Sequence, residues 1–577
     1  MNLATKSKYS SIFTFIIINI PILAYIYLLL FFSLLFIFIE YPYDDDIWKF
    51  LAEAVHLAEG GEIPLTLTLD DINWYPPIFS YFLSMIYILL PFDIYSTYKI
   101  FIFILMVFQG FAVYYFFKPI IPKIFPNHNF SFIWLNQVLT LVYFLLPSTG
   151  VLLGPLYALP LTLSISLFYL SIAYILYLET KREQPKIFST IILSILLGLS
   201  FSSHLFTIPL SFIFLVLFKF STKESIGINN NNHHFIVSYI LGFQLALIIW
   251  IIPYNIIHGS LPLIDISILQ SFNSPLLLVI ISELFFLVLV TIISTISMQS
   301  KYRNMLIISL LAIIVLSGLV LDLIIQSIIR DSHIYANISF WNVYAYPLET
   351  EIFGLFSVTI ENSFFASIIR WIYVFNPILI ILVIFNIIAD LKFLSVSKIN
   401  IIIISFMLIS ISLIAGTRFI VFIYPIVTLA IIRGIQFFFE FIQELRVSID
   451  TKKIFIIIIS FLIIIQTGFN YSQLPVFVTR EYPSKELRDI YFYINTNSIQ
   501  KIYPNSIKDF YYLRANKIDV IHSNPWKSNT YITWIDLEID YILFNSNSSN
   551  AGNWQAEISR SNVSLLIQKG FLYLYKL

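Results

Sequence analysis

The sequence predicts an α-helical polytopic membrane protein of about 13 transmembrane helices, with a small α/β extracytoplasmic domain at its C-terminal end. Three observations predict it. Of 577 residues, 59% are hydrophobic and 11% charged, where a soluble domain carries about 25% charged residues. The mean hydropathy is +0.86. Apolar runs near the roughly 20 residues that a membrane-crossing helix needs recur as far as residue 469, after which the pattern changes.

The formal net charge is zero and gives no footing for nucleic-acid binding. Cysteine is absent, which excludes disulfides, thiolate metal sites and cysteine catalysis. The first apolar run, Ile12 to Ile39, far exceeds the roughly 7–15 residues of a signal core and has no small-residue cleavage site after it, so it reads as a retained span.

Further spans are expected near 95–117, 131–153, 155–178, 187–203, 204–219, 235–257, 277–297, 304–329, 367–390, 399–416, 418–437 and 453–469. Lys and Arg near span ends set orientation. Lys6 and Lys8, Lys118 and Lys123, Lys181 to Lys186, Lys219 and Lys223, Lys301 and Arg303, Lys392 and Lys398, and Arg446 to Lys453 all fall on one side of a thirteen-span arrangement. That side is the cytoplasm of a cell-membrane protein, with the N-terminus inside and the C-terminal domain outside. The apolar segment 78–91 is too short to span. It reads as an interfacial or re-entrant helix, or as a bent first part of the second span.

The chain thus divides into a transmembrane domain, 1–469, and an extracytoplasmic α/β domain, 470–577. Two further regions lie outside, the first loop 40–94 and a second large loop 330–366. In the C-terminal domain, "YPSKELRDIYFYINTN" has the pattern of an amphipathic helix capped by Ser484, and "KIDVIH", "DYILF" and "FLYLYKL" read as strands. Sequons at Asn337, Asn470, Asn547 and Asn562 fall outside and the one at Asn129 inside.

The first loop opens "EYPYDDDIWKFLAEAVHLAEGGEIP". Helical spacing puts Asp46, Lys49, Glu53 and His56 on one face and Ile47, Leu51, Ala54 and Ala58 on another, as in a helix lying along the membrane surface. Gly60 and Gly61 end it. Asp44, Asp45 and Asp46 sit at its N-terminus, where the macrodipole favours negative charge. In one reading they cap a wet helix. In the other, carboxylates crowded beside lipid repel one another and favour holding a proton, as a general base must. Oxygen ligands such as Asp45 and Asp46 also suit a hard divalent cation, Mg or Mn. The loop continues "LTLDDINWYPPIFSYFL", where Asp70 and Asp71 precede Trp74 and Tyr75, and two prolines impose an extended entry to the next helix.

An acidic cluster after the first span, a surface helix ending in Gly-Gly and a Tyr-Pro-Pro entry to an apolar helix, in this order, resemble the polytopic glycosyltransferases of the GT-C fold, which include protein O-mannosyltransferases and lipid A aminoarabinose transferases. Their usual opening is an Asp-Glu pair followed about a dozen residues later by Gly-Gly. Counted back from Gly60-Gly61, Asp46 stands at the Asp of that pair and Ile47 at the Glu. The thirteen-span count and the external C-terminal domain resemble the aminoarabinose transferase branch. The absence of Trp-Trp-Asp-Tyr-Gly argues against the oligosaccharyltransferase branch.

The resemblance implies a donor sugar on a polyprenyl phosphate and a lipid, glycan or protein acceptor at the outer face. An aspartate of 44–46 would be the catalytic base of an inverting transfer, and Asp70 and Asp71 acceptor or metal contacts. Arg418, at the outer end of the twelfth span, has the planar fork that suits a lipid-linked phosphate, with snorkelling to the interface as the structural alternative. His204, at the external turn of the 187–219 pair, is a second phosphate or acceptor candidate, or a packed turn residue. The loop 330–366 puts His333 among Trp341, Tyr344, Tyr346, Glu349 and Glu351, the residue types of a sugar site or of a lid; Tyr75 is a further substrate-contact candidate, or with Trp74 part of an interfacial turn at the headgroup level. His233 and His234, beside an Asn run, read as a solvated cytoplasmic loop. The competing functions are a lipid-linked glycan flippase, which calls for more mid-span charges than Glu283 and Asp322, and an inactive scaffold of the same fold.

Overall fold

The computed structural model describes residues 45–61, 77–124, 132–145, 160–181, 187–204, 231–252, 348–352, 356–360, 424–444, 483–520, 530–548 and 551–577, with shorter helical pieces within 22–30, 207–211 and 382–388. Among the described residues, seven longer helices precede the first strands: α1 (Asp45–Ala58), α2 (Ile78–Leu89), α3 (Ile94–Ile124), α4 (Phe132–Leu145), α5 (Pro160–Lys181), α6 (Ile187–Phe201) and α7 (Asn231–Ala246), which runs on into a π-turn, Leu247–Ile251. An antiparallel hairpin follows, β1 (Leu348–Ile352) with β2 (Phe356–Ile360), inside the second large loop of the sequence reading. Then comes α8 (Tyr424–Glu444).

Among the described residues, two helical stretches are long and apolar enough to cross a membrane, Ile94–Pro122 and Pro160–Leu178. Five shorter apolar helices accompany them. The short segment α2 is a helix separate from α3. Leu90 leaves it in an extended conformation, and Asp93 starts α3 as its N-cap. Asp93 Oδ1 accepts from Ser96 N at 2.9 Å and Oδ2 accepts from Ser96 Oγ at 2.5 Å. Burial opposes ionisation of this carboxyl, but the hydrogen bonds from Ser96 and Tyr95 outweigh it and hold the pKa below the ordinary value. His233 and His234 lie in the first turn of α7, so they belong to a helix and not to the expected loop. Asn231 at its start offers a side chain suited to a helix N-terminus, which a polarity-based reading takes for a loop.

Small and hydroxyl-bearing residues bring the helices together, as they do where lipid supplies no hydrophobic drive between helices. α5 and α6 run antiparallel: Ser200 Oγ donates to the Ser164 carbonyl at 2.9 Å, and Tyr174 donates to Ser189 Oγ at 3.0 Å. α6 and α7 run parallel, with Thr190 beside Ser238 and Gly198 beside Gly242. Gln109 of α3 donates to the Tyr143 hydroxyl of α4 at 2.9 Å. Gly434 of α8 passes so close to the Leu382 carbonyl that a Cβ there would collide with it.

The C-terminal α/β unit contains α9 (Lys485–Thr496), β3 (Ile502–Pro504), α10 (Ile507–Ala515), α11 (Tyr531–Asp536), β4 (Tyr541–Asn545), α12 (Ala551–Arg560), β5 (Ser564–Lys569) and β6 (Leu572–Lys576). Ser484 caps α9 by accepting from Leu487 N at 3.2 Å. The sheet order is β3-β4-β6-β5, with β3 and β4 parallel and the other pairs antiparallel. Alternation along β4 sends Leu543 to one face and Ile542 and Phe544 to the other. The second face packs on Trp534 and Trp554. The first belongs to a core that continues without a break into α1, α2 and α3. Of the expected strand "KIDVIH", the described part makes a single bridge, Val520 with Ile502.

Candidate active site around the first helix

α1 reads Asp-Asp-Ile-Trp-Lys-Phe-Leu-Ala-Glu-Ala-Val-His-Leu-Ala. Its acidic start, apolar spacing and good helix formers specify the helix. Its end is equally specific. Gly60 takes φ +85°, a left-handed conformation that other residues adopt at a cost. Gly60 N donates to Leu57 O at 3.1 Å and Gly61 N to His56 O at 2.9 Å, closing a Schellman-type cap. Gly61 lies directly against the His56 imidazole, which a Cβ would strike.

The helix does not have the wet face that its periodicity suggests. Ile47, Trp48, Phe50, Leu51, Ala52, Ala54 and Val55 are all buried, and so is Glu53, at 4% exposure. α2 covers one side: Ser80 Oγ donates to Glu53 Oε2 at 2.6 Å. α10 covers another. Trp48 meets Tyr512 edge-on at 4.9 Å between centroids, and Lys49 Nζ lies 5.9 Å from the Tyr511 ring. Arg514 Nη2 donates to Glu59 Oε2 at 2.7 Å and to His56 Nδ1 at 3.2 Å. Burial, then the Arg514 charge, push the His56 pKa below its ordinary value against a smaller opposing pull from Glu59. A neutral ring with its proton on Nε2 is the form that can accept from Arg514. Beside this contact, Lys517 Nζ lies 5.4 Å from the Tyr87 ring of α2.

The predicted site residues separate as follows. Asp45 and Asp46 are the first two residues of α1. Asp44, Asp70, Asp71, Tyr75, His333 and Arg418 lie outside the described residues. His204 is half-buried in the turn after α6. That turn abuts the start of α2, where Ile78 N donates to Ser202 O at 3.4 Å. So α1, the start of α2 and the His204 turn form one contiguous layer, joined through Glu53–Ser80 and Ile78–Ser202. Among the described residues no three of His, Asp and Glu gather as a metal set. The sequence reading missed Ser80 and Arg514, and it put Glu53 and His56 on a polar face that one of its two readings left wet. The apolar residues around Ser80 signalled burial, but nothing local to Arg514 signals its partners on α1.

No protein-family model matches the chain, and no curated protein sequence matches it. Solved structures do. The oligosaccharyltransferase of Archaeoglobus fulgidus, tethered by a disulfide to an acceptor peptide containing the NVT sequon, superposes with TM-score 0.54 at 11% identity, over 93% of this chain and 71% of that one. Its apo form gives 0.50 at 10% identity, over 92% and 71%. The archaeal enzyme with an inhibitory peptide and a dolichol-phosphate gives 0.49 at 11%, over 92% and 71%. The chain carries the GT-C fold. This GT-C likeness lies with oligosaccharyltransferases, the branch that the missing Trp-Trp-Asp-Tyr-Gly motif argues against. At such identity it is a likeness of fold and assigns no branch within GT-C.

Proposed function

We propose that the chain is a membrane glycosyltransferase that moves a sugar from a polyprenyl-phosphate carrier to an acceptor at the outer face of the membrane. The observation that supports this reading best is the seating of α1. In a GT-C fold, a helix that begins Asp45-Asp46 buries most of its residues from Ile47 to Val55 and is held in one layer with the His204 turn. An acid-bearing helix start held that firmly suits a reaction whose geometry must be set before the substrates meet.

In this reading Asp46 or Asp45 takes the proton of the acceptor hydroxyl. The freed oxygen attacks the anomeric carbon from the face opposite the carrier, and the bond from that carbon to the phosphate oxygen breaks, which inverts the centre. The negative charge passes to the leaving phosphate, where Arg418 and His204 stabilise it. Asp70, Asp71, Tyr75 and His333 orient donor and acceptor. A divalent cation on Asp45 and Asp46 is part of the proposal, tested by chelation. The archaeal enzyme's acceptor peptide makes a protein acceptor the first to try.

The deciding experiment is transfer from a labelled polyprenyl-phosphate sugar by the purified chain and by Asp45→Asn, Asp46→Asn and the double variant. Loss of transfer in at least one single variant supports the base. Full transfer in all three removes it. Movement of the lipid across vesicles without bond formation replaces the enzyme with a flippase.

A further inference from the structure

The C-terminal unit does more than rest on α1; it grips the end of α1 opposite the acids. Arg514 reaches Glu59 across 455 residues of sequence and His56 across 458, both through Nη2. The pair is well shielded on the arginine side, whose side chain is 15% exposed. Trp48–Tyr512 packs alongside, and Lys517–Tyr87 extends the contact to α2. The Gly-Gly cap serves the same grip: the turn at Gly60 and the bare Cα of Gly61 leave room for the His56 ring where Arg514 meets it.

A 14-residue helix is a stiff rod of about 21 Å. Its last turn carries His56, Glu59 follows in the turn that closes it, and its first turn carries Asp45 and Asp46. A change of tilt at one end therefore displaces the other. We infer that Arg514 is a positioning residue for the transfer reaction, setting the placement of the acids at the start of α1 through its contacts with Glu59 and His56 at the end. The inference rests on the transferase reading above.

The natural chain has no cysteine, so a Tyr87→Cys/Lys517→Cys pair joined by a short bifunctional maleimide reports docking of the C-terminal unit without background. Arg514→Ala should lower the cross-linking yield and reduce kcat by up to ~10²-fold, the scale of a misplaced reacting group. The donor KM should stay within about twofold, because the lost interaction is geometric and not a donor contact. The exchanged pair Glu59→Arg/Arg514→Glu should recover most of kcat, and Arg514→Lys, which keeps the charge but not the fork, should fall between. Unchanged kcat in Arg514→Ala overturns the positioning role and leaves the transferase reading standing. So does a loss carried by KM alone, or a loss of kcat that neither the exchanged pair nor lysine restores, since that marks a contact of the fold only. Absence of transfer by the unaltered chain overturns the transferase reading, and the positioning role with it.

Discussion

The hydroxyl of Ser80 donates to the carboxylate of Glu53 at 2.6 Å, joining α2 to α1 across 27 residues with both side chains buried. A buried carboxylate is costly unless its oxygens are satisfied, and hydrogen bonds to charged groups contribute more than neutral ones. Ser80→Ala should therefore destabilise the protein by about 2 kcal/mol. Glu53→Gln, which keeps an acceptor for Ser80, should be milder than Glu53→Ala. Thermal unfolding in detergent, followed by a dye or by light scattering, ranks the three; an unchanged transition in Ser80→Ala would show that the bond does not hold α2 in place.

The crossing of α6 and α7 depends on two glycines. A Cβ at Gly242 would lie 2.9 Å from Leu197 Cβ and 3.1 Å from both Gly198 N and Ser194 O. A Cβ at Gly198 would lie 2.6 Å from Leu245 Cδ2. Backbone cannot give way cheaply, so Gly242→Val should cost on the order of 1–3 kcal/mol. Gly552, with nothing within 4 Å of an added Cβ, supplies the control: Gly552→Ala should change stability little. Equal transitions for Gly242→Val and the control would contradict the close crossing.

These contacts show where sequence reading succeeds and where it stops. α1, with its acidic start and Gly-Gly end, and α9, with Ser484 as cap, were legible because propensity and capping act locally. So were α3 and α5, whose long apolar runs meet a length requirement. β5, "SLLIQK", was not: it is an edge strand exposed along most of its length and lacks the alternation that marks a half-buried strand. The burial of Glu53 and the partners of Arg514 depend on contacts 27 and 455 residues away, and a helix's own periodicity gives no sign of a second layer laid over its polar side. The fold class was thus open to local reasoning, while the seating of the candidate site was a product of tertiary contact.

The two glycines that end α1 should behave differently. Gly60→Ala places a Cβ in a left-handed conformation and should cost about 1–2 kcal/mol, without crowding any neighbour. Gly61→Ala drives its Cβ into the His56 ring and so displaces the partner of Arg514. Amide hydrogen exchange along α10 separates the effects. Gly61→Ala should speed exchange there, and Gly60→Ala should affect chiefly the end of α1. The same pattern in both variants would remove the link from Gly61 through His56 to the C-terminal unit.

Docking of the C-terminal unit should also depend on pH. His56 accepts from Arg514 only while neutral, and its pKa in the docked state is below the ordinary 6.5 because of burial and the Arg514 charge, partly offset by Glu59. Among the described residues, Arg514 from α10 and Glu59, in the turn that follows α1, act on the ring, with Lys517 coupled to Glu59. The undocked ring then binds a proton more readily than the docked one, so docking strengthens as pH rises. The His56 contribution is complete above 6.5 and is lost progressively as pH falls through 6.5 towards the lowered value. Cross-linking of the Tyr87→Cys/Lys517→Cys pair, corrected for thiol ionisation with a free-thiol probe, should decline over that window in the otherwise natural chain. His56→Gln, which retains an acceptor but does not titrate, should flatten the decline. A profile that falls equally with glutamine in place would assign the pH dependence to another group.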